Sequence, residues 1–120
     1  MHNFRKLEVW KLSMRVASET ILLIETLPQF KRYGLAGQLE RTVVSVPSNI
    51  AEGAGRKSIK EYLHFLNIAY ASSYELETQL LIAQDVNFFK DVDVQVLLDK
   101  VNSVQKMLFR LVESISKNAG

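Results

Sequence analysis

The stretch RTVVSVPSNIAEGAGR, Arg41–Arg56, sets a proline inside a helical apolar pattern and follows it with small polar residues and a glycine-basic exit. Leu35, Leu39, Val43, Val46 and Ile50 recur at steps of three and four, the period of one helix face. The opposite line is polar: Gln38, Arg41, Ser45, Ser48 and Glu52. Pro47 removes a backbone donor and presses its ring on the carbonyl of Val43, at a cost of about 3 kcal/mol in a straight helix interior. The stretch predicts a helix over 34–53 with a kink or brief break near Val43–Pro47, the freed groups taken up by Ser45, Ser48 or Asn49. Gly53-Ala54-Gly55 is expected to end it, because glycine suits a left-handed C-terminal position. Leu39, Val43, Val46 and Ile50 face the core. The polar strip is too narrow for an ordinary solvated face and reads as a contact surface against a neighbouring helix or subunit.

Three further helices flank this one. Leu7, Trp10, Met14, Ala17, Ile21 and Ile24 form one apolar line, and Val9, Leu12, Val16, Leu23 and Leu27 a second beside it, over 7–27. Glu8–Lys11 and Arg15–Glu19 are expected surface pairs, and Pro28 closes the helix. Ser58-Ile59-Lys60-Glu61 has the form of a capping box, with Ser58 as N-cap and Glu61 reaching back. It opens a helix over 59–86 with its apolar line at Ile59, Tyr62, Leu66, Ala69, Ser73, Leu76, Leu80 and Ala83. Ala69, Ala71, Ser72 and Ser73 make a thin patch in that helix, with Tyr62, Tyr70 and Tyr74 around it. The last helix is read over 93–117, N-capped by Asp93 or Asp91, with Val94, Leu97, Val101, Val104, Leu108, Leu111 and Ile115 on one face and 118–120 as a frayed tail. Four helices joined by short links specify an all-α, up-down-up-down antiparallel four-helix bundle, a single domain over 1–120.

The chain has 120 residues, 48% of them apolar, five glycines and two prolines, which fits one folded domain with a modest core. It has no cysteine, hence no disulfide framework and no thiolate metal site, in keeping with a reducing, cytoplasmic setting. MHNFRKLEVW lacks the apolar core of a signal peptide, and the apolar runs are far short of a membrane span. Residues 1–60 carry 10 Lys and Arg against 5 Asp and Glu, residues 61–120 carry 5 against 8, and the whole chain is +2. A basic front half suits phosphate; alternatively, the halves neutralise each other across the bundle or between subunits. The candidate nucleic-acid-binding residues are Arg5, Lys6, Lys11, Arg15, Arg56, Lys57 and Lys60.

Catalytic patterns are thin. Glu61-x-x-His64 puts a carboxylate and an imidazole on one helical face, but di-iron bundles need two such pairs and further carboxylates, and His2 is terminal. Glu75 and Glu77 are two apart and point to different faces, so they do not converge as an acid–base pair. One of Glu52, Glu75 and Glu77 pairing with Arg41 or Arg56 is the expected role. Gly53-Ala54-Gly55-Arg56 lacks the Lys-Ser/Thr of a phosphate-binding loop. No catalytic residue, metal site or cofactor is assigned, and the chain is read as non-enzymatic.

Several segments resemble the four-helix-bundle proteins encoded by intervening sequences within bacterial 23S ribosomal RNA genes. These are Phe4 and Leu7-x-x-Trp10; Tyr33-Gly34-Leu35-x-x-Gln38-x-x-Arg41; and, most distinctively, Ser45-x-Pro47-Ser48-Asn49-Ile50-Ala51-Glu52-Gly53 with Arg56. Phe65-Leu66-x-Ile68-Ala69, Ser72 and Glu75-Leu76-Glu77-Thr78 follow. Tyr70-Ala71 stands where a smaller pair often follows the alanine. The resemblance covers about residues 4–89. It implies an up-down bundle whose subunits assemble into a ring, usually a homopentamer, and a relation to the accessory subunit of diversity-generating retroelements, which binds a reverse transcriptase and nucleic acid. It establishes no catalytic residues. On it, Arg41, Ser45, Pro47, Ser48, Asn49, Glu52 and Glu75 are framework or interface residues. The expected function is a ring-forming protein that binds structured RNA or DNA through its basic surface. The alternative is a protein–protein adaptor or accessory subunit with no direct nucleic-acid role.

Overall fold

The computed structural model describes residues 3–119, with backbone only at Ala119; Met1, His2 and Gly120 lie outside the described residues. Four helices run α1 Glu8–Ile24, α2 Leu35–Ala54, α3 Ile59–Asp85 and α4 Asp91–Ala119, with short 3-10 turns at Phe4–Lys6 and Gln29–Lys31. No strand occurs among the described residues. The links are short, so neighbours run antiparallel and pack as an up-down-up-down bundle of 49 × 21 × 20 Å. Among the described residues no helix is long and apolar enough to cross a membrane.

The core follows the apolar periods with one informative shift. On α2, α3 and α4 the expected lines are buried, from Leu39, Val43, Val46 and Ile50 through Leu66 and Leu80 to Val94, Val101 and Leu108. Ile59 departs from its line and is exposed. On α1 the deepest line draws on both expected stripes, Ala17 and Ile24 from one and Val9 and Val16 from the other, with Ser13 and Thr20 between them. Trp10, Leu12, Ile21 and Leu23 flank it half-buried and Met14 lies exposed. Ser13 tolerates burial because its hydroxyl donates to the Trp10 carbonyl at 2.8 Å. Ser73, facing it from α3, donates to the Tyr70 carbonyl at 2.5 Å. These small residues leave a cavity of about 10 Å³ among all four helices, ringed by the valines Val16, Val43, Val46, Val101 and Val104.

Several helix ends differ from expectation. α1 stops at Ile24, short of 27, and Arg32 folds back on its end. The Arg32 guanidinium donates to the carbonyls of Glu25 at 2.8 Å and Leu27 at 3.0 Å, a cation satisfying orphan acceptors. Gly34 starts α2 at φ 66°, where a side chain would be strained. α2 is continuous from Leu35 to Ala54, so no break occurs at Pro47. Ser45 donates to the Thr42 carbonyl at 2.7 Å and Asn49 to the Ser45 carbonyl at 2.8 Å, whereas Ser48 is exposed. α4 starts at Asp91, with the Lys90 carbonyl accepting from the amides of Asp93 and Val94. Asp91 and Asp93 therefore lie in the first turn, where they favour the helix dipole, rather than at the cap. α4 also continues through the expected frayed residues to Ala119. Asn87 at φ 61° turns the chain between α3 and α4, and buried Phe89 anchors that turn.

Gly53-Ala54-Gly55 ends α2 as expected: the helix runs to Ala54 and Gly55 is its C-cap, at an ordinary φ of −84° rather than a left-handed one. Gly53, the last residue but one, is buried. A Cβ on Gly53 would stand 2.9 Å from the Cβ of Phe65 and 3.1 Å from both the ring and the carbonyl of Tyr62. The glycine is there because α3 passes too close for any side chain. A Cβ at Gly55 would meet nothing nearer than 3.6 Å. Gly53→Ala is therefore expected to lower stability by about 1–3 kcal/mol through overpacking, against the usual gain from replacing a helical glycine. Gly55→Ala should be neutral or slightly stabilising. Urea unfolding midpoints of the two variants check this, and equal midpoints would refute it.

Candidate nucleic-acid interface

Antiparallel topology decides where the basic residues go. The start of α1, the α2–α3 turn and the end of α4 share one end of the bundle. Arg5 and Lys6, in the turn before α1, thus lie at the same end as Arg56, Lys57 and Lys60 around the start of α3 and Lys117 near the end of α4. Lys11 lies one turn inside α1. Arg15 sits about 6 Å further along the bundle, at 1.5 Å rise per residue, so it borders the cluster rather than joining its centre.

Arg56 is the most constrained of these cations. Its guanidinium lies over the Phe65 ring, 4.6 Å from the centroid. It also pairs with Glu52 at 2.8 Å and stands 3.8 Å from Glu61. Ser58 caps α3 as expected, its hydroxyl accepting from the Glu61 amide at 3.1 Å. The Glu61 carboxylate faces Arg56 across the turn, so half of the expected capping box is realised. Lys11 pairs with Glu8 at 3.3 Å. Arg5, Lys6, Lys57 and Lys60 are exposed, and no ion pair joins their side chains among the described residues. The cluster thus has a fixed centre at Arg56 and a free rim. Phe65 was not assigned a site role from the sequence. The signal for it was the glycine-to-aromatic contact, which periodicity does not reveal.

The framework residues divide. Pro47 is buried and lines the α1–α2 groove with Phe4 and Trp10. Arg41, Ser45, Asn49 and Glu75 border a shallow polar groove between α2 and α3, of about 680 Å³. Thr42, buried on its edge, donates to Glu75 at 2.8 Å, tying the helices together. Of the three carboxylates expected to supply a partner for Arg41 or Arg56, Glu52 does so, pairing with Arg56; Glu75 takes Thr42, and Glu77 takes the amide of Gln105 at 2.8 Å. Arg41 has no ion pair among the described residues and folds over Gly37, with Nη1 3.5 Å from where a Cβ there would stand. Arg15–Glu19 is also replaced: Glu19 takes Lys100 of α4, at 2.5 and 2.7 Å. His64 stands edge-on to Phe65. Among the described residues no group of three or more His, Asp or Glu converges as a metal cage.

The family model described as 23S rRNA-intervening sequence protein matches residues 5–110. Among solved structures, the chain is similar to a protein of unknown function from the S23 ribosomal protein family of Bacteroides thetaiotaomicron. The TM-score is 0.81 at 21% identity, over 87% of this chain and 97% of that one. At that identity the likeness speaks to the fold. No curated protein matches the chain.

The two kinds of cation should respond differently to mutation. Arg56→Ala removes the ring contact and two half-exposed ion pairs, an expected loss of up to about 1 kcal/mol. Lys57→Glu on the free rim should change stability by less than about 0.5 kcal/mol. Thermal unfolding of both at one ionic strength reads the difference.

Proposed function

The chain belongs to the 23S rRNA-intervening sequence protein family, and from that premise we propose that it is a non-enzymatic, ring-forming bundle protein that binds structured RNA through its basic end. The observation that carries this reading is the gathering of Arg5, Lys6, Lys11, Arg56, Lys57 and Lys60 at one end, from segments far apart in sequence. The free cations suit phosphate, and their neutralisation releases counterions from the nucleic acid. The first turn of α3 adds backbone donors and a positive dipole end beside them. The family's description motivates an RNA ligand. The sequence resemblance supports a ring, usually a homopentamer, which would repeat the modest patch around its axis. This reading puts the protein in the cytoplasm, with no cofactor required.

A second reading, a protein–protein adaptor or accessory subunit, draws on the α1–α2 groove. That groove is mostly apolar, and Met14 and Val44 on it are 40% and 43% exposed. It would account for a protein partner without salt-sensitive nucleic-acid binding.

Filter binding to a hairpin from ribosomal RNA at two salt concentrations separates the two. The RNA reading expects binding that weakens steeply with salt, with log K falling by about 0.7–0.9 per phosphate contact against log salt. Arg5→Glu with Lys57→Glu should weaken binding and flatten that slope; absence of binding at low salt sinks the reading. The ring has its own test in Arg41→Glu. Arg41 is exposed and has no ion pair among the described residues, so charge reversal should shift light scattering toward smaller species while helicity is kept. An unchanged oligomer would refute the interface role of the polar strip.

A further inference from the structure

The groove between α3 and α4, about 510 Å³ in volume, has a composition unlike the other surfaces of the bundle. Tyr70 and Tyr74 stand edge to face, ring centroids 5.2 Å apart at 84°, with their hydroxyls 3.1 Å apart. That bond holds the Tyr74 ring in place while leaving the residue 48% exposed. Phe109 faces them from α4 and is 52% exposed, off the buried line of its helix. Lys106 and Arg110 line the same groove, and neither has an ion pair among the described residues. The hydrogen bond shared with Tyr70 raises the Tyr74 phenol above its ordinary value; like any tyrosine it is neutral near pH 7 and does not repel an anion.

We propose that this groove binds single-stranded nucleic acid, unpaired bases stacking on Tyr74 and Phe109 while Lys106 and Arg110 take the phosphates. Exposed aromatic faces alternating with free cations match a strand in which base and phosphate alternate. A duplex keeps its base faces stacked inside and offers nothing to the rings. An apolar helix would bury two cations with no carboxylate to meet them, at a desolvation cost. Of the nearby acids, Glu77 is occupied by Gln105, and Glu113 lies one turn past Arg110. The groove also leads somewhere: Tyr74, Asn67 and Lys60 recur every seven residues on α3, as do Arg110 and Lys117 on α4. Both lines run to the basic end, so a strand leaving a hairpin held there could enter the groove. The inference rests on the nucleic-acid reading for its ligand class but on different residues.

The test is fluorescence anisotropy with a labelled unstructured 12-nucleotide RNA and, separately, a hairpin RNA. Tyr74→Ala and Phe109→Ala should each weaken single-strand binding by about 5- to 150-fold, as loss of one stacked base implies. Tyr74→Phe, which keeps the ring but loses the hydroxyl bond to Tyr70, should bind closer to the parent than either alanine variant does. Hairpin affinity and thermal midpoint should stay unchanged in all three. Strand binding that ignores the alanine variants, or that falls equally for hairpin and strand, overturns the inference. So does a parent protein that binds the hairpin but no strand; this would leave the groove to a protein partner and the basic-end reading intact. Strand binding without hairpin binding would instead sink the basic-end reading and keep this one.

Discussion

The closeness of α2 and α3 at Gly53 is the constraint on which the basic end of the bundle depends. With no Cβ at that position, the backbone of α2 comes against Tyr62 and Phe65 in the second turn of α3. That contact sets where the turn between the helices lies. It brings the Phe65 ring under Arg56 and leaves Glu52 and Glu61 on either side of the guanidinium. Exposed ion pairs of this kind hold little on their own. They are consequences of a backbone placement that a buried glycine and a capped helix start have already fixed. The distinctive sequence around Pro47 to Arg56 is therefore explained more by packing than by chemistry: a proline buried on one side, a glycine buried on the other, and a cation held at the exit.

A second principle runs through the middle of the bundle, where small polar residues replace large apolar ones. Ser13 and Ser73 return their hydroxyls to their own helices and allow close approach. Thr20 is fully buried, and its hydroxyl has no partner among the described residues, an arrangement that costs rather than contributes stability. Gln105 is buried and spans from α4 to the Ser73 carbonyl at 3.4 Å and to Glu77 at 2.8 Å. This polar tie fixes α4 against α3 beneath the two tyrosines. On the other side of α4, Lys100 and Glu19 do the same against α1. Apolar packing tolerates sliding along a helix, but these directional bonds favour one register.

Periodicity made the four helices and most of the core legible, because a 3.6-residue repeat is a local signal. Contacts between helices were legible only in part. Gly53-Ala54-Gly55 marks the helix end correctly, but nothing local reveals that Tyr62 and Phe65 arrive opposite Gly53. Nothing local ties Arg32 to the carbonyls it satisfies, which lie five and seven residues behind it. Glu19 looked like the partner of Arg15 because i,i+4 pairs can be read from sequence, whereas Lys100 is 81 positions away. On α1 the two apolar lines belong to one face whose centre is occupied by Ser13 and Thr20. A hydrophobicity pattern hides a core line that is itself partly polar.

Charge shows the same limit most clearly. Split by sequence, the front half is basic and the back half acidic, as though the bundle had two sides of opposite sign. An antiparallel bundle does not sort residues that way; it sorts them by distance from a helix end. Arg5, Lys6, Lys11, Arg56, Lys57, Lys60 and Lys117 share one end with Glu8, Glu52, Glu61 and Glu113. At the opposite end Lys31, Arg32 and Lys90 meet Glu25, Asp85, Asp91 and Asp93, and Arg32 is occupied with backbone carbonyls. A net charge of +2 thus conceals a field along the 49 Å axis, positive at one end and slightly negative at the other. With a screening length of about 8 Å at physiological salt, the two ends act independently. A phosphate ligand responds to the local end rather than to the mean of the chain, and a mildly charged bundle can therefore be a strongly oriented one.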